Sequence, residues 1–168
     1  MRGKSRRICK IEIYQNSSFI EGDELKIAVQ NNNVELVDYL LSVPNINYTC
    51  NDNSLLTKCT ILHRSVLNGK LEIVKRLCSL SYIDINAKFI YEEKNCREEK
   101  TALHIAIEKY KWDIVKYLLN LPNIDVNSFE ITKYVTKYNE KTALQLAIEK
   151  NNPEIVELLL KRSDIKNN

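Results

Sequence analysis

Thr101-Ala-Leu-His-Ile-Ala-Ile-Glu108, followed by Trp112-Asp-Ile-Val-Lys-Tyr-Leu-Leu119, decides the fold because the pattern recurs along the chain. Thr60-Ile-Leu-His63 stands 41 residues before Thr101-Ala-Leu-His104, and Thr142-Ala-Leu-Gln145 stands 41 residues after it. A small residue follows each quartet: Ser65, Ala106 or Ala147. Then come Ile73-Val74, Ile114-Val115 or Ile155-Val156, and after them Leu77-Cys78, Leu118-Leu119 or Leu159-Leu160. Ile83-Asp-Ile-Asn86 and Ile124-Asp-Val-Asn127 close the second and third copies. An earlier copy runs through Leu25, Ala28, Val37 and Leu40-Leu41, with Asp23 where the others have threonine. Self-similarity at a fixed period is the signature of stacked structural repeats.

Inside a copy the apolar spacing calls for two helices. Leu103, Ala106 and Ile107 fall at i, i+3 and i+4, and Val115, Leu118 and Leu119 form a second stripe. Asn152-Pro153-Glu154 is a helix start: a capping side chain, proline at the first helical position and an acid in the first turn. Asn33 takes the same capping place in the first copy, and Glu35, Glu72 and Asp113 supply the acid. Neither helix buries its stripe alone, so the copies must stack.

These motifs resemble the ankyrin repeat family, in which T-P-L-H-x-A-A opens the first helix and a D-V-N segment follows the second. The resemblance implies an all-α repeat solenoid of stacked helix-turn-helix units carrying β-hairpin fingers. It gives four repeats (23–59, 60–100, 101–141 and 142–168) behind a basic N-terminal arm, 1–22. It also implies that His63 and His104 are structural, bonding the helix start and the neighbouring repeat. Ile61, Ala102 and Ala143 replace the motif's proline, and Gln145 replaces its histidine. The glycine between the helices survives as Gly69, whereas Asn32, Tyr110 and Asn151 hold the equivalent places. Tyrosine tolerates a left-handed backbone poorly, which predicts a reshaped turn in the third pair.

The family period is about 33 residues, but here the steps are 37, 41 and 41. Most of the excess lies between the D-x-N segment and the next Thr-x-Leu, where the family has its fingers. The two enlarged fingers, Asn86–Lys100 and Asn127–Lys141, carry Phe89, Tyr91, Phe129, Tyr134 and Tyr138 among mixed charges. Such aromatics suit interface anchors. They equally suit a small satellite core between neighbouring fingers.

Composition narrows the function classes. No apolar run reaches the ~18 residues of a membrane span. Net charge is +3, and the first ten residues hold five basic side chains and no acid, leaving 3 − 5 = −2 for the rest. A near-neutral body argues against a broad nucleic-acid face. The five cysteines form no CxxC pair, which fits a reducing compartment: the cytoplasm, with the nucleus left open. Cys50, Cys59 and Cys96 fall in or beside fingers and are expected at the surface, whereas Cys78 takes a core position. Both histidines belong to the repeat motif, so no Ser-His-acid set is available. Three glycines give no phosphate loop, and no metal or cofactor is expected. Trp112 reads as core packing.

What the resemblance implies is a non-catalytic, monomeric adaptor for another protein, bound through fingers and groove. Groove positions implied by the family are Glu108, Lys109, Glu149 and Lys150 at the ends of first helices, with Lys100 and Lys141 at the finger bases. Two other readings stand beside it: a regulatory or targeting portion of a larger enzyme, and weak nucleic-acid binding by the basic arm.

Overall fold

A computed structural model describes residues 23–43, 46, 48, 49 and 56–165. The basic arm, Cys9 and Cys50 lie outside the described residues. Among the described residues four helix pairs follow one another: α1 (Glu24–Gln30) with α2 (Val34–Leu41), α3 (Ile61–Leu67) with α4 (Leu71–Cys78), α5 (Ala102–Glu108) with α6 (Trp112–Leu119), and α7 (Ala143–Glu149) with α8 (Pro153–Leu160). First helices pack on first helices (α1 on α3, α3 on α5, α5 on α7), and second helices form a parallel row from α2 to α8. The apolar stripes meet in one continuous core, in which Leu25, Leu62, Leu103 and Ile107 of the first helices face Leu40, Leu77, Leu118 and Leu159 of the second.

Local chemistry sets each boundary. Thr60, Thr101 and Thr142 cap α3, α5 and α7 through a capping box, and the residue answering from the third position is His63, His104 or Gln145. Gln145 Oε1 accepts from the Thr142 N–H at 2.9 Å, so the exchange of histidine for glutamine keeps the cap. Asp23 makes no such bond, and α1 starts uncapped by a side chain. Asn33 and Asn152 cap α2 and α8 by accepting from Leu36 and Ile155, each at 3.1 Å.

The four interhelix turns have one shape. Asn32, Gly69, Tyr110 and Asn151 have φ of 53°, 65°, 56° and 52°. The reshaped third turn expected from Tyr110 is therefore absent. Its ring instead stands edge-on to Trp112, with centroids 5.6 Å apart, and lies under Lys150 Nζ at 5.3 Å. Those two contacts offset a left-handed backbone that costs roughly 1–2 kcal/mol for a side-chain-bearing residue.

The D-x-N segments clamp neighbouring repeats. Asn86 Nδ2 donates to the Asn123 carbonyl at 2.8 Å, and Asn86 Oδ1 accepts from Asp125 N–H at 2.9 Å. One repeat later, Asn127 Nδ2 donates to the Asp164 carbonyl at 2.7 Å. Each asparagine is held by its own aspartate: Asp84 and Asp125 accept from Asn86 N–H and Asn127 N–H, both at 2.9 Å.

The fingers form the β-hairpins that the resemblance implies, and they also join one another. β1 (Leu56–Lys58), β2 (Lys88–Glu93), β3 (Cys96–Thr101), β4 (Phe129–Tyr134) and β5 (Lys137–Thr142) form one five-stranded antiparallel sheet in chain order. Fingers of successive repeats thus join by backbone pairing, β1 to β2 and β3 to β4, instead of standing as separate hairpins. The lengthened arms make this possible: six-residue strands reach far enough for Cys96 to face Tyr134 across the seam.

Candidate partner-binding surface

Strand register sorts the finger side chains onto two faces, because directly paired residues share a face. Phe89, Tyr91, Glu98, Lys100, Glu130, Tyr134 and Lys141 lie on one; Ile90, Arg97, Glu99, Phe129, Ile131 and Tyr138 lie on the other. The first face adjoins the ends of the first helices, as the ion pairs show. Lys100 Nζ lies 2.9 Å from Glu108 Oε2 and 3.0 Å from Glu98 Oε2. Lys141 meets Glu149 in the same way one repeat later. Burial alone would lower the Lys100 pKa, but hydrogen bonds to Glu108 and Glu98 outweigh it and hold the ammonium charged. Glu108 pairs reciprocally: burial pushes its pKa up, and the Lys100 bond brings it below the usual carboxylate range. On exposed Glu149 the Lys141 hydrogen bond lowers the pKa.

Glu130 sits on β4, directly opposite Lys141, and is buried. Its Oε2 has no hydrogen-bond partner. Burial raises its pKa, with Lys100 and Lys141 partly opposing that rise. Sequence reading missed Glu130, since it looked like any charged residue of a finger.

The aromatics divide by height above the helices. Phe89, at the finger base, packs edge-on against His63 with centroids 6.0 Å apart and joins the core. Phe129 is half-buried, as is Tyr91, whose hydroxyl donates to Glu93 at 2.6 Å. Tyr134, Val135 and Tyr138 surround the second fingertip and are 48, 75 and 61% exposed. Beside them a cleft runs between the two tips, lined by Glu92, Glu93, Arg97, Lys133, Tyr134 and Val135. Val135 was missing from the sequence-predicted set because its turn position is invisible without the register. Of the helix-end residues, Lys109 is exposed and pairs with Glu108 at 3.6 Å, while Lys150 lies over Tyr110. Lys100 itself is buried, so its charge is used within the molecule.

Both histidines are enclosed. His63 Nδ1 meets Thr60 N–H at 3.1 Å and Thr60 Oγ1 at 2.9 Å, and Nε2 meets the Ala87 carbonyl at 2.9 Å. His104 repeats the Nδ1 contact, 2.7 Å from Thr101 Oγ1. Desolvation lowers the pKa of each to about 4, so both rings are neutral at pH 7. Cys59 is buried, contrary to the surface position expected for it, because its strand end tucks against the core. Cys78 packs on the core, and burial pushes its thiol up to about 11, which leaves it a poor nucleophile. Among the described residues no cluster of three metal-ligating side chains occurs, and no helix is long and apolar enough to cross a membrane.

Comparison with known proteins matches this geometry to a family. The sequence profile described as ankyrin repeats (3 copies) covers residues 22–89 and 88–168. No curated protein sequence matches. Among solved structures, the chain resembles one in the complex of the predatory endopeptidase Bd0816 from Bdellovibrio bacteriovorus with immunity protein Bd3460. That match has a TM-score of 0.58 and 21% identity, and covers 85% of this chain and 65% of the other. At that identity the likeness concerns the fold. The twice-matched profile, together with four helix pairs and their fingers, places this chain in the ankyrin repeat family.

Proposed function

We propose that the chain is a non-catalytic, monomeric adaptor, a solenoid scaffold that holds a partner protein against its finger sheet and the adjoining helix ends. The observation that carries this reading is the second fingertip. Tyr134, Val135 and Tyr138 are large, apolar and solvent-facing on a sheet whose base is locked by Lys100–Glu108 and Lys141–Glu149. Rigid aromatics over a polar rim bind at low entropic cost. The mixed charge of the helix ends suits a partner matched by shape and alternating sign. Free thiols at Cys78 and Cys96 support a reducing compartment such as the cytoplasm.

The test is affinity capture from the source cells with wild type and with Tyr134→Ala/Val135→Ser/Tyr138→Ala. These three side chains are exposed, so the variant keeps its circular dichroism spectrum. Loss of the captured partner supports the reading; equal recovery contradicts it.

A further inference from the structure

The seam between successive fingers has a repeating register. Leu56 faces Glu92 and Lys58 faces Ile90 across β1–β2. Forty-one residues on, Arg97 faces Lys133 and Glu99 faces Ile131 across β3–β4. The same step puts Tyr138 and Glu140 at the corresponding places of β5. Yet among the described residues β5 has only β4 as a sheet neighbour.

Ladder geometry fixes which backbone groups of β5 are free. The two-residue turn Val135-Thr136 makes Tyr134–Lys137 the closing hydrogen-bonded pair, and bonded and non-bonded pairs alternate from there. Asn139 and Lys141 therefore bond to β4. The N–H and C=O groups of Tyr138 and Glu140 point away from it, as those of Arg97 and Glu99 point away from β2 and toward β4.

We propose that the free edge of β5 takes up an extended segment of a partner protein as a sixth antiparallel strand, with a β-branched apolar residue opposite Glu140. The proposal rests on the protein-binding reading above and adds where and how the partner's backbone engages. Continuity of the inter-finger interface carries it. The cross-sheet row Lys58–Ile90–Glu99–Ile131–Glu140 alternates a charged residue with isoleucine, and its next place belongs to an apolar β-branched side chain. Charge on β5 is no barrier to pairing. β3 carries Arg97, Glu98, Glu99 and Lys100 in succession and is still bonded on both edges. Residues 137–140 are exposed, so the edge is open to an incoming chain. Main-chain hydrogen bonds would supply affinity, and alternate side chains would supply choice of partner.

The test titrates the 15N-labelled full chain with a synthetic peptide of its own β4 segment, Ser128–Val135, and reads amide hydrogen exchange. The Tyr138 and Glu140 amides are expected to slow by about tenfold at millimolar peptide, while Lys137 and Asn139, already bonded, change little. A peptide N-methylated at the isoleucine loses the effect. Glu140→Pro removes the outward N–H, not a bond to β4, and is expected to abolish protection at Tyr138, whereas Glu140→Ala keeps it; circular dichroism checks both folds. No slowing at millimolar peptide, or undiminished slowing in E140P, overturns the proposal. Protection that appears without peptide and grows with protein concentration would assign the edge to a second copy and overturns it too. Either failure leaves the fingertip reading to its own capture experiment.

Discussion

Lys100 and Glu108 form the more enclosed of two equivalent bridges from finger base to helix end: their side chains are 10 and 28% exposed, against 26 and 50% for Lys141 and Glu149 one repeat later. The same sequence spacing therefore presents one ion pair in two dielectric settings.

Lys100→Met should destabilise the fold by about 2 kcal/mol, because Glu98 and Glu108 lose the charge that offsets their burial. Lys141→Met, at a wetter site, should cost less than about 1 kcal/mol. Urea unfolding of the two variants measures the difference. Equal losses would mean that burial does not set the worth of this pair.

The neutral histidines give the stability a defined pH dependence. Each folded pKa, about 4, lies below the ordinary value of 6.5, so between these values the unfolded chain binds more protons. The histidine contribution is then level above pH 7 and falls as pH drops from about 6.5 toward 4, by roughly 3 kcal/mol per histidine at the acid end. His63→Gln/His104→Gln should flatten this slope while retaining the caps, as Gln145 does in the fourth repeat. Denaturant midpoints at pH 7, 5.5 and 4.5 provide the check. An unchanged slope in the double variant would place the dependence elsewhere.

The left-handed turn at Tyr110 separates backbone strain from side-chain contact. Tyr110→Ala loses the Trp112 and Lys150 contacts but keeps the strain at φ 56°, whereas Tyr110→Gly loses both. The glycine variant should therefore be the more stable of the two by about 1 kcal/mol. At the equivalent place, Gly69→Ala should destabilise by about 1 kcal/mol, since φ is 65° and a methyl group would sit 3.2 Å from Lys111 Nζ. Thermal melts of the three variants rank these effects.

Much of the fold is legible in the sequence because repetition averages out local ambiguity. The steps of 37, 41 and 41 residues identify the four interhelix positions, and all four adopt left-handed backbone. The structural role of His63 follows from its place in the motif and is met by its bonds to Thr60 and Ala87. What escapes a one-dimensional reading is register between distant strands. Nothing local tells that Arg97 lies across from Lys133, so the fusion of fingers into one sheet is not visible in either finger alone. The same gap hides Glu130, whose burial comes from its neighbours, and separates Phe89, which packs on His63, from Tyr134, which faces solvent. Tyr110 shows the converse: propensity argued for a reshaped turn, and contacts with Trp112 and Lys150 prevailed.

The most direct test of the central claim is hydrogen–deuterium exchange of the chain alone and bound to the captured partner. The finger-sheet account expects slowed exchange over Lys133–Glu140 and at the Glu108–Lys109 and Glu149–Lys150 helix ends, with the outer row α2, α4, α6 and α8 unchanged. Protection confined to that outer row, with the fingers exchanging as freely as before, would contradict it.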